Sequence, residues 1–407
     1  MAAVAGPPFR RMLFWAHLIA GVLAGLVILI ASVTGVLLAF EPQLLDSAAI
    51  GNRIAALPAS GQAALPVDRL AELARAAAPD ARRLSLVIPA DPEMPVTVSR
   101  GGESAPVLLN PYTGEVVADA TAGTRRFLRT SESLHRWLGG RPGGVGSALI
   151  DLGTLLFLFI TVSGLYLWLP PVWRWLIFKA RWTPRPKYPS AWARDYGWHI
   201  AFSFWALIPL FVIALSGVVM SYGWANKLVY GAYGEQPPQR RGPPEGSGPG
   251  GQGAAGGGAP GATRSPREAP PSGERPARAS LEALVATARA QASPWQRLTV
   301  PLGGRGETLD IVAELQSTER RAPRQTISVS TLDASVVTVR GPASPQATQS
   351  PAQRARTWLR LAHTGEQFGV VGQGVAACAS LVACLLAYTG IALAWRRLAG
   401  PLLRPKH

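Results

Sequence analysis

Four long apolar stretches punctuate the chain, at 12–40, 145–169, 196–226 and 367–395. Each exceeds the roughly 20 residues that a helix needs to cross a bilayer. The first, third and fourth carry no Asp, Glu, Lys or Arg, and the second carries one acid, Asp151. The pattern predicts four transmembrane helices. The first is too long for the apolar core of a signal peptide, and no small-residue cleavage site follows it, so it reads as an anchor.

Between the apolar stretches the periodicity changes. Residues 67–78 repeat at helical spacing, with Leu70, Leu73 and Ala74 on one face. Strand-like runs follow at 84–88 and 96–99, then a hairpin formed by 107–110, a Pro-Tyr-Thr-Gly turn and 115–117. The same order of signals returns later: a helix over 280–291, strands at 298–302, 309–315 and 326–330, and a closing run at 336–339. Each set predicts one helix against a small antiparallel sheet. The expected fold is therefore a four-helix transmembrane bundle carrying two small α+β domains, with an internal duplication of span, external unit, span. The expected boundaries are helix 12–40, domain 41–144, helix 145–169, loop 170–194, helix 196–226, linker 235–278, domain 279–366, helix 367–395 and tail 396–407.

Composition sharpens this picture at three points. Residues 235–278 hold 11 Gly and 10 Pro in 44 positions and no Val, Ile, Leu, Met or aromatic residue. Such a segment cannot bury a core and is expected to be a disordered linker. It contains a Gly251-Gln-Gly253-Ala-Ala-Gly256 string, but no strand precedes it and no helix follows, so a dinucleotide site is not expected. The net charge of +16 is distributed by topology. Residues 1–11, 170–194 and 396–407 carry two, six and four basic residues and no acid. The positive-inside rule then puts both termini and the 170–194 loop in the cytoplasm and both α+β units outside. That distribution argues against a nucleic-acid partner. Finally, Cys378 and Cys384 are the only cysteines, in one apolar run. They exclude a disulfide framework, a cysteine zinc site and covalent haem attachment.

Five histidines occur, and four fall at one per span: His17, His135, His199 and His363. His407 is the terminal residue. From His17 to Gly35 is 18 residues, as from His199 to Gly217; from His135 to Gly164 is 29 and from His363 to Gly390 is 27. Each of those glycines follows a Ser or Thr: Thr34-Gly35, Ser163-Gly164, Ser216-Gly217 and Thr389-Gly390. Small residues there are expected to allow close helix packing in lipid. By the topology, His17 and His199 lie about 8 Å inside the cytoplasmic border, and His135 and His363 lie at the external border. Imidazoles at matched depths suggest ligation, with structural hydrogen bonding as the alternative. Two nitrogens per level suit the axial positions of a b-type haem better than zinc. The expected metal ligands are His17 with His199 and His135 with His363, holding two non-covalent haem b groups. Arg136, Arg141, Arg356 and Arg360 stand beside the external pair, and Arg10, Arg11 and Arg194 beside the internal one, as propionate partners or as border anchors. Asp151 could orient a ligand histidine or pass a proton, or could merely pack against a polar neighbour.

Three motifs resemble those of a known family. Ser133-Leu-His-Arg-Trp-Leu-Gly139 is similar to its LHRWLG signature. Ala362-His-Thr-Gly-Glu-Gln-Phe-Gly369, with Gly372-Gln373, is similar to its HTG…G..GQ signature. Asn110-Pro-Tyr-Thr-Gly-Glu-Val116 is similar to the PepSY hairpin. The resemblance is to the PepSY-associated transmembrane proteins, which include iron-regulated reductases of ferric siderophores in the bacterial inner membrane. It implies two b haems that pass electrons outward to a periplasmic ferric siderophore or similar chelate, fed by a separate donor, either a cytoplasmic reductase or a quinol. The second hairpin, Ser328 to Val336, lacks the Pro-Tyr-Thr-Gly turn. The competing expectation is a non-redox membrane protein whose PepSY units bind or regulate a periplasmic partner.

Overall fold

The computed structural model describes residues 8–53, 63–81, 83–101, 105–170, 174–238, 278–303, 306–316, 322–343 and 349–399. Nearly all of the 235–278 stretch, with its glycine string, lies outside the described residues, as does His407.

Along the chain come α1 (Pro8–Ala39), α2 (Glu41–Ala49), α3 (Val67–Ala77), β1 (Ser85–Pro89), β2 (Val96–Ser99), β3 (Val107–Leu109), β4 (Val116–Val117) and α4 (Ala122–Trp137). Then follow α5 (Val145–Trp168), α6 (Trp175–Trp182), α7 (Ala191–Ser221), α8 (Gly223–Gly231) and α9 (Leu281–Gln291). The chain continues through β5 (Trp295–Pro301), β6 (Thr308–Leu315), β7 (Arg324–Ser330), β8 (Val336–Ala343), α10 (Pro351–Thr364) and α11 (Gly369–Leu398).

The helices α1, α5, α7 and α11 are long and apolar enough to cross a membrane. They close a ring in which α1 and α7 each contact both α5 and α11. Thus α1 lies diagonally across from α7. Many of their large apolar side chains, Leu23, Leu26, Ile208 and Val371 among them, point outward and are exposed. In water that surface would be costly; facing lipid it is not. The loop before α7 is more structured than expected. It contains α6, whose Phe178 and Trp182 pack with Trp168 and Phe204. Trp168 is therefore buried.

The two α+β segments do not form separate sheets. All eight strands join one antiparallel sheet in the order β4-β3-β2-β1-β5-β6-β7-β8. The seam is β1 against β5, where Leu86 pairs with Val300 and Ile88 with Leu298. Alternate residues of five adjoining strands, including Leu86, Val98, Leu298, Ile311 and Ile327, are fully buried on one face. The helices α3 and α9 cover that face with Leu70, Ala74, Val285 and Ala288. Burying each such Leu, Ile or Val stabilises by roughly 1.5–3 kcal/mol, so the seam unites two half-cores into one.

The helices above the sheet also cap each other. Asp68 in the first turn of α3 accepts the backbone N–H groups of Leu281 at 2.8 Å and Glu282 at 3.0 Å. Glu282 in turn accepts the N–H of Val67 at 2.6 Å. Each helix thus supplies a carboxylate to the orphan amides and positive dipole end of the other.

Candidate functional site

Four elements carry the four histidines: α1 His17, α7 His199, α4 His135 and α10 His363. The rings of His135 and His363 stand 6.2 Å apart, centre to centre, at 76° to each other. His17 and His199 stand on the diagonal helices α1 and α7, and each reaches a neighbouring span, His17 at Gly164 of α5 and His199 at Gly390 of α11. His17 and Thr34, the hydroxyl partner of His135, are 17 residues apart on α1, a rise of about 25 Å. The two pairs therefore lie toward opposite ends of the bundle, with His135 and His363 at the end that leads into the sheet.

All four imidazoles are held in the same way. Nδ1 of His17 is 2.9 Å from Ser163 Oγ, and Nδ1 of His135 is 3.0 Å from Thr34 Oγ1. Nδ1 of His199 is 2.9 Å from Thr389 Oγ1, and Nδ1 of His363 is 3.0 Å from Ser216 Oγ. At His135 and His363 a backbone carbonyl three residues before the hydroxyl also bonds the ring, Ala31 at 2.9 Å and Ile213 at 3.0 Å. A carbonyl can only accept. Each hydroxyl already donates its single proton to a carbonyl of its own helix, as Thr34 does to Ile30 at 2.8 Å and Thr389 to Leu385 at 2.8 Å. Nδ1 therefore carries the proton at all four rings, and Nε2 holds the free lone pair. No Nε2 makes a hydrogen bond among the described residues. All four residues are half-buried, so the rings retain open surface.

The glycine after each hydroxyl lies against the ring, most tightly at His17. A Cβ on Gly164 would sit 3.2 Å from Cε1 of His17, and one on Gly390 would sit 3.4 Å from Cε1 of His199. On Gly35 and Gly217 it would sit 3.6 and 3.7 Å from Cε1 of His135 and His363. These Ser/Thr-Gly pairs were expected only to pack helices. Their hydroxyl role has a sequence signal: 18 residues are five full turns, so His17 and Gly35 share one face of α1.

Tight elbows aim the two histidines at the sheet end. After His135 the chain reverses through Leu138 at φ 49° and Gly139 at φ 79°. There a Cβ on Gly146 would lie 2.0 Å from the Trp137 carbonyl. After His363, Gly365 at φ 78° touches Gly372, where an added Cβ would lie 2.3 Å from a backbone oxygen. Gln373 is fully buried, donates to the Ala39 carbonyl and accepts from Gln43 at 2.7 Å. The histidine-containing motifs are thus turns that bring α4 and α10 back onto the ends of the spanning helices.

The family model for the PepSY-associated TM region matches residues 14–397. The chain belongs to this family. A comparison with curated proteins found no match. The family match runs across all four apolar helices and the sheet, which makes this PepSY-associated protein a multi-pass membrane protein.

Its PepSY hairpin explains its own signature. Asn110 Oδ1 accepts the Tyr112 N–H at 2.8 Å and the Thr113 N–H at 3.3 Å. Gly114 takes φ 78° beneath Leu73, where a Cβ would clash at 2.5 Å. The second hairpin makes the corresponding reversal with Ala334 at φ 55°.

Arg136, Arg356, Arg10 and Arg194 each have a partner within the chain. Arg136 pairs with Glu132 at 2.8 Å and lies over Trp137. Arg356 donates to Asn226 at 2.7 Å. Arg141 and Arg360 are exposed. Arg10 donates to the carbonyls of Leu167 and Leu169 at the C-terminus of α5. Arg194 contacts Asp195, which also binds Arg396 at 2.7 Å. Asp195 is fully buried and sits one residue past the stretch counted as free of acid. The sequence does not single it out, because one of its two cations, Arg396, lies 201 residues away. Asp151 is half-buried and makes no hydrogen bond to a histidine; the hydroxyls take the orienting role instead.

Proposed function

We propose that this protein is a dihaem b electron carrier of the bacterial inner membrane that reduces a ferric chelate in the periplasm. The single observation that carries this reading is the fourfold Nδ1–H anchor, which leaves two pairs of imidazoles with unpartnered Nε2 atoms. Two imidazoles that shared one ion through bonds of about 2 Å, with each ring centre about 1 Å behind its nitrogen, would stand at most roughly 6 Å apart. The spacing of His135 and His363 fits that requirement. Among the described residues no three of His, Cys, Asp and Glu converge as a metal site, so each level would offer a metal two imidazoles and no further protein donor of these types.

In this reading His17 with His199, and His135 with His363, hold one haem b each. A haem held by these imidazoles would supply a one-electron couple. The residues of this chain fix the imidazole tautomer and set the two levels apart along the bundle. One electron from a separate donor, a cytoplasmic reductase or a quinol, converts one Fe(III) chelate to Fe(II). The basic loops support cytoplasmic termini and a periplasmic sheet. The matched order of helix, strands and histidine in the two halves supports an internal duplication.

The test is a reduced-minus-oxidised spectrum of the purified protein with a pyridine haemochrome assay. Two haem b per chain are expected, with reduction of an external ferric chelate when a reductant is trapped inside proteoliposomes. A haem-free protein that still inserts and folds would overturn the reading.

A further inference from the structure

A cleft of about 470 Å³ lies along α4, lined by Arg125, Arg126, Arg129, Thr130 and Ser133 and closed below by Gly139. These α4 positions recur at one, three and four residues, so they occupy one helix face. His135 turns its ring to another flank, against Thr34 and Gly35. One helix, about 10 Å across, therefore separates the cleft from the His135–His363 pair.

Among the described residues the charges in the cleft are not balanced. Arg125 is spoken for: it pairs with Asp119 at 3.0 Å and donates to Thr121. Burial pushes Asp119 up, but the Thr121 hydroxyl and amide, Arg125 and Asn52 outweigh it and leave the carboxyl below its usual range. Arg126 and Arg129 are exposed and have no ion-pair or hydrogen-bond partner among the described residues. The Ser133 hydroxyl likewise has none. Glu132, the acid of the same turn, is held by Arg136.

We propose that this cleft binds the substrate, and that the substrate is a small ferric chelate of net negative charge. Two guanidiniums three residues apart can each clasp a carboxylate or catecholate edge with two parallel hydrogen bonds. The volume falls in the range of small-molecule sites, about 300–1,000 Å³, and is too small for a protein domain. The proposal rests on outward electron transfer through His135 and His363. One electron passes to the bound Fe(III), the chelate leaves as Fe(II), and no covalent bond forms or breaks. The source of the electron is the separate donor.

Gallium(III) citrate carries the charge of a ferric carboxylate chelate but is not reduced, so it reads binding alone. The haem-loaded full chain in phosphatidylcholine nanodiscs should bind it, more weakly as salt rises. Arg126→Gln/Arg129→Gln should lower that affinity tenfold or more with haem content unchanged, and Arg126→Lys/Arg129→Lys should keep part of it. The glutamine pair should also raise KM for ferric citrate about tenfold, and leave KM for an uncharged ferric chelate alone. Equal gallium citrate affinity in wild type and the glutamine pair overturns the proposal. So does binding of anionic phosphatidylglycerol in place of any soluble chelate, which would make the cleft a lipid headgroup site. Loss of gallium binding in the variant, with no ferric reduction by the wild type, would keep the cleft and remove the electron-transfer reading. Ferric citrate reduction with one KM in both proteins would do the reverse.

Discussion

The ring of His135 stands 6.2 Å from that of His363, yet the two residues lie in different halves of the chain and on helices that do not cross the bundle. The elbows after α4 and α10 create this relationship. It leads to a pairing that can be counted. Replacing His135 or His363 by Ala should remove one haem and leave the other, and the double variant should lose no more than either single one. His17→Ala and His199→Ala should form a second set with a different residual spectrum and midpoint potential. Haem-to-protein ratios by pyridine haemochrome decide it: identical residual haem in His17→Ala and His135→Ala would sink the pairing.

The hydroxyls supply a finer test. Thr389→Val keeps the shape of the side chain but removes the oxygen that accepts from His199 Nδ1. The close contact of the ring with Gly390 remains, so the ring should stay in place with a weaker hold. Loss of such an orienting partner typically costs 10–100-fold in affinity. Thr389→Val and Ser163→Ala should therefore release one haem to an apo-globin trap at least tenfold faster, while Thr161→Val, whose hydroxyl bonds only its own helix at Phe157, should not. Equal release rates in all three would remove the hydroxyls from the site.

Much of this arrangement could be read along the chain. Unbroken apolar runs marked the four spanning helices, because lipid rewards apolar side chains on every face. Alternation marked most strands, and histidine depth separated one pair from the other. The single sheet could not be read this way: periodicity tells which residues of β1 and β5 face a core, but not that Leu86 will pair with Val300. The buried Asp195 was hidden for a related reason, since its burial depends on Arg396, 201 residues away. The hydroxyl anchors fall between these cases. Their spacing was visible in Thr34-Gly35 and its three counterparts, but a Ser or Thr in an apolar helix normally bonds its own backbone, and these do so as well.

The cap exchange at Asp68 and Glu282 ties the two halves of the sheet domain through two residues. Asp68→Ala removes the acceptor for two N–H groups at the start of α9. A lost N-terminal cap costs about 0.5–2 kcal/mol. Thermal unfolding of the full chain, followed by tryptophan fluorescence, should show the sheet transition moving down by several degrees. Haem content should not change, because neither helix touches the bundle histidines. Glu282→Gln should cost less, since an amide oxygen can still accept from Val67. An unshifted transition in Asp68→Ala would mean that the seam strands alone hold the halves together.

The last expectation concerns the elbow after His135. Gly146 lies in the first turn of α5, and a Cβ there would sit 2.0 Å from the Trp137 carbonyl oxygen and 2.9 Å from its carbon. Real Cβ atoms do not approach a backbone carbonyl so closely, so Gly146→Ala must push α4 away from α5. The displacement falls two turns or less from His135, whose Nδ1 must reach both Thr34 and Ala31 within about 3 Å to keep its tautomer. Gly365→Ala forces the same kind of separation at the elbow after His363, with the added strain of a non-glycine residue at positive φ. Gly374→Ala is the matched control, because a Cβ there meets nothing within 4 Å. Both elbow variants should lose the haem of the His135–His363 pair and retain the one at the opposite end, where α1 and α7 carry their histidines directly. The control should keep both. Loss of the His17–His199 haem in Gly146→Ala, or no loss at all, would show that the elbow does not set the position of His135.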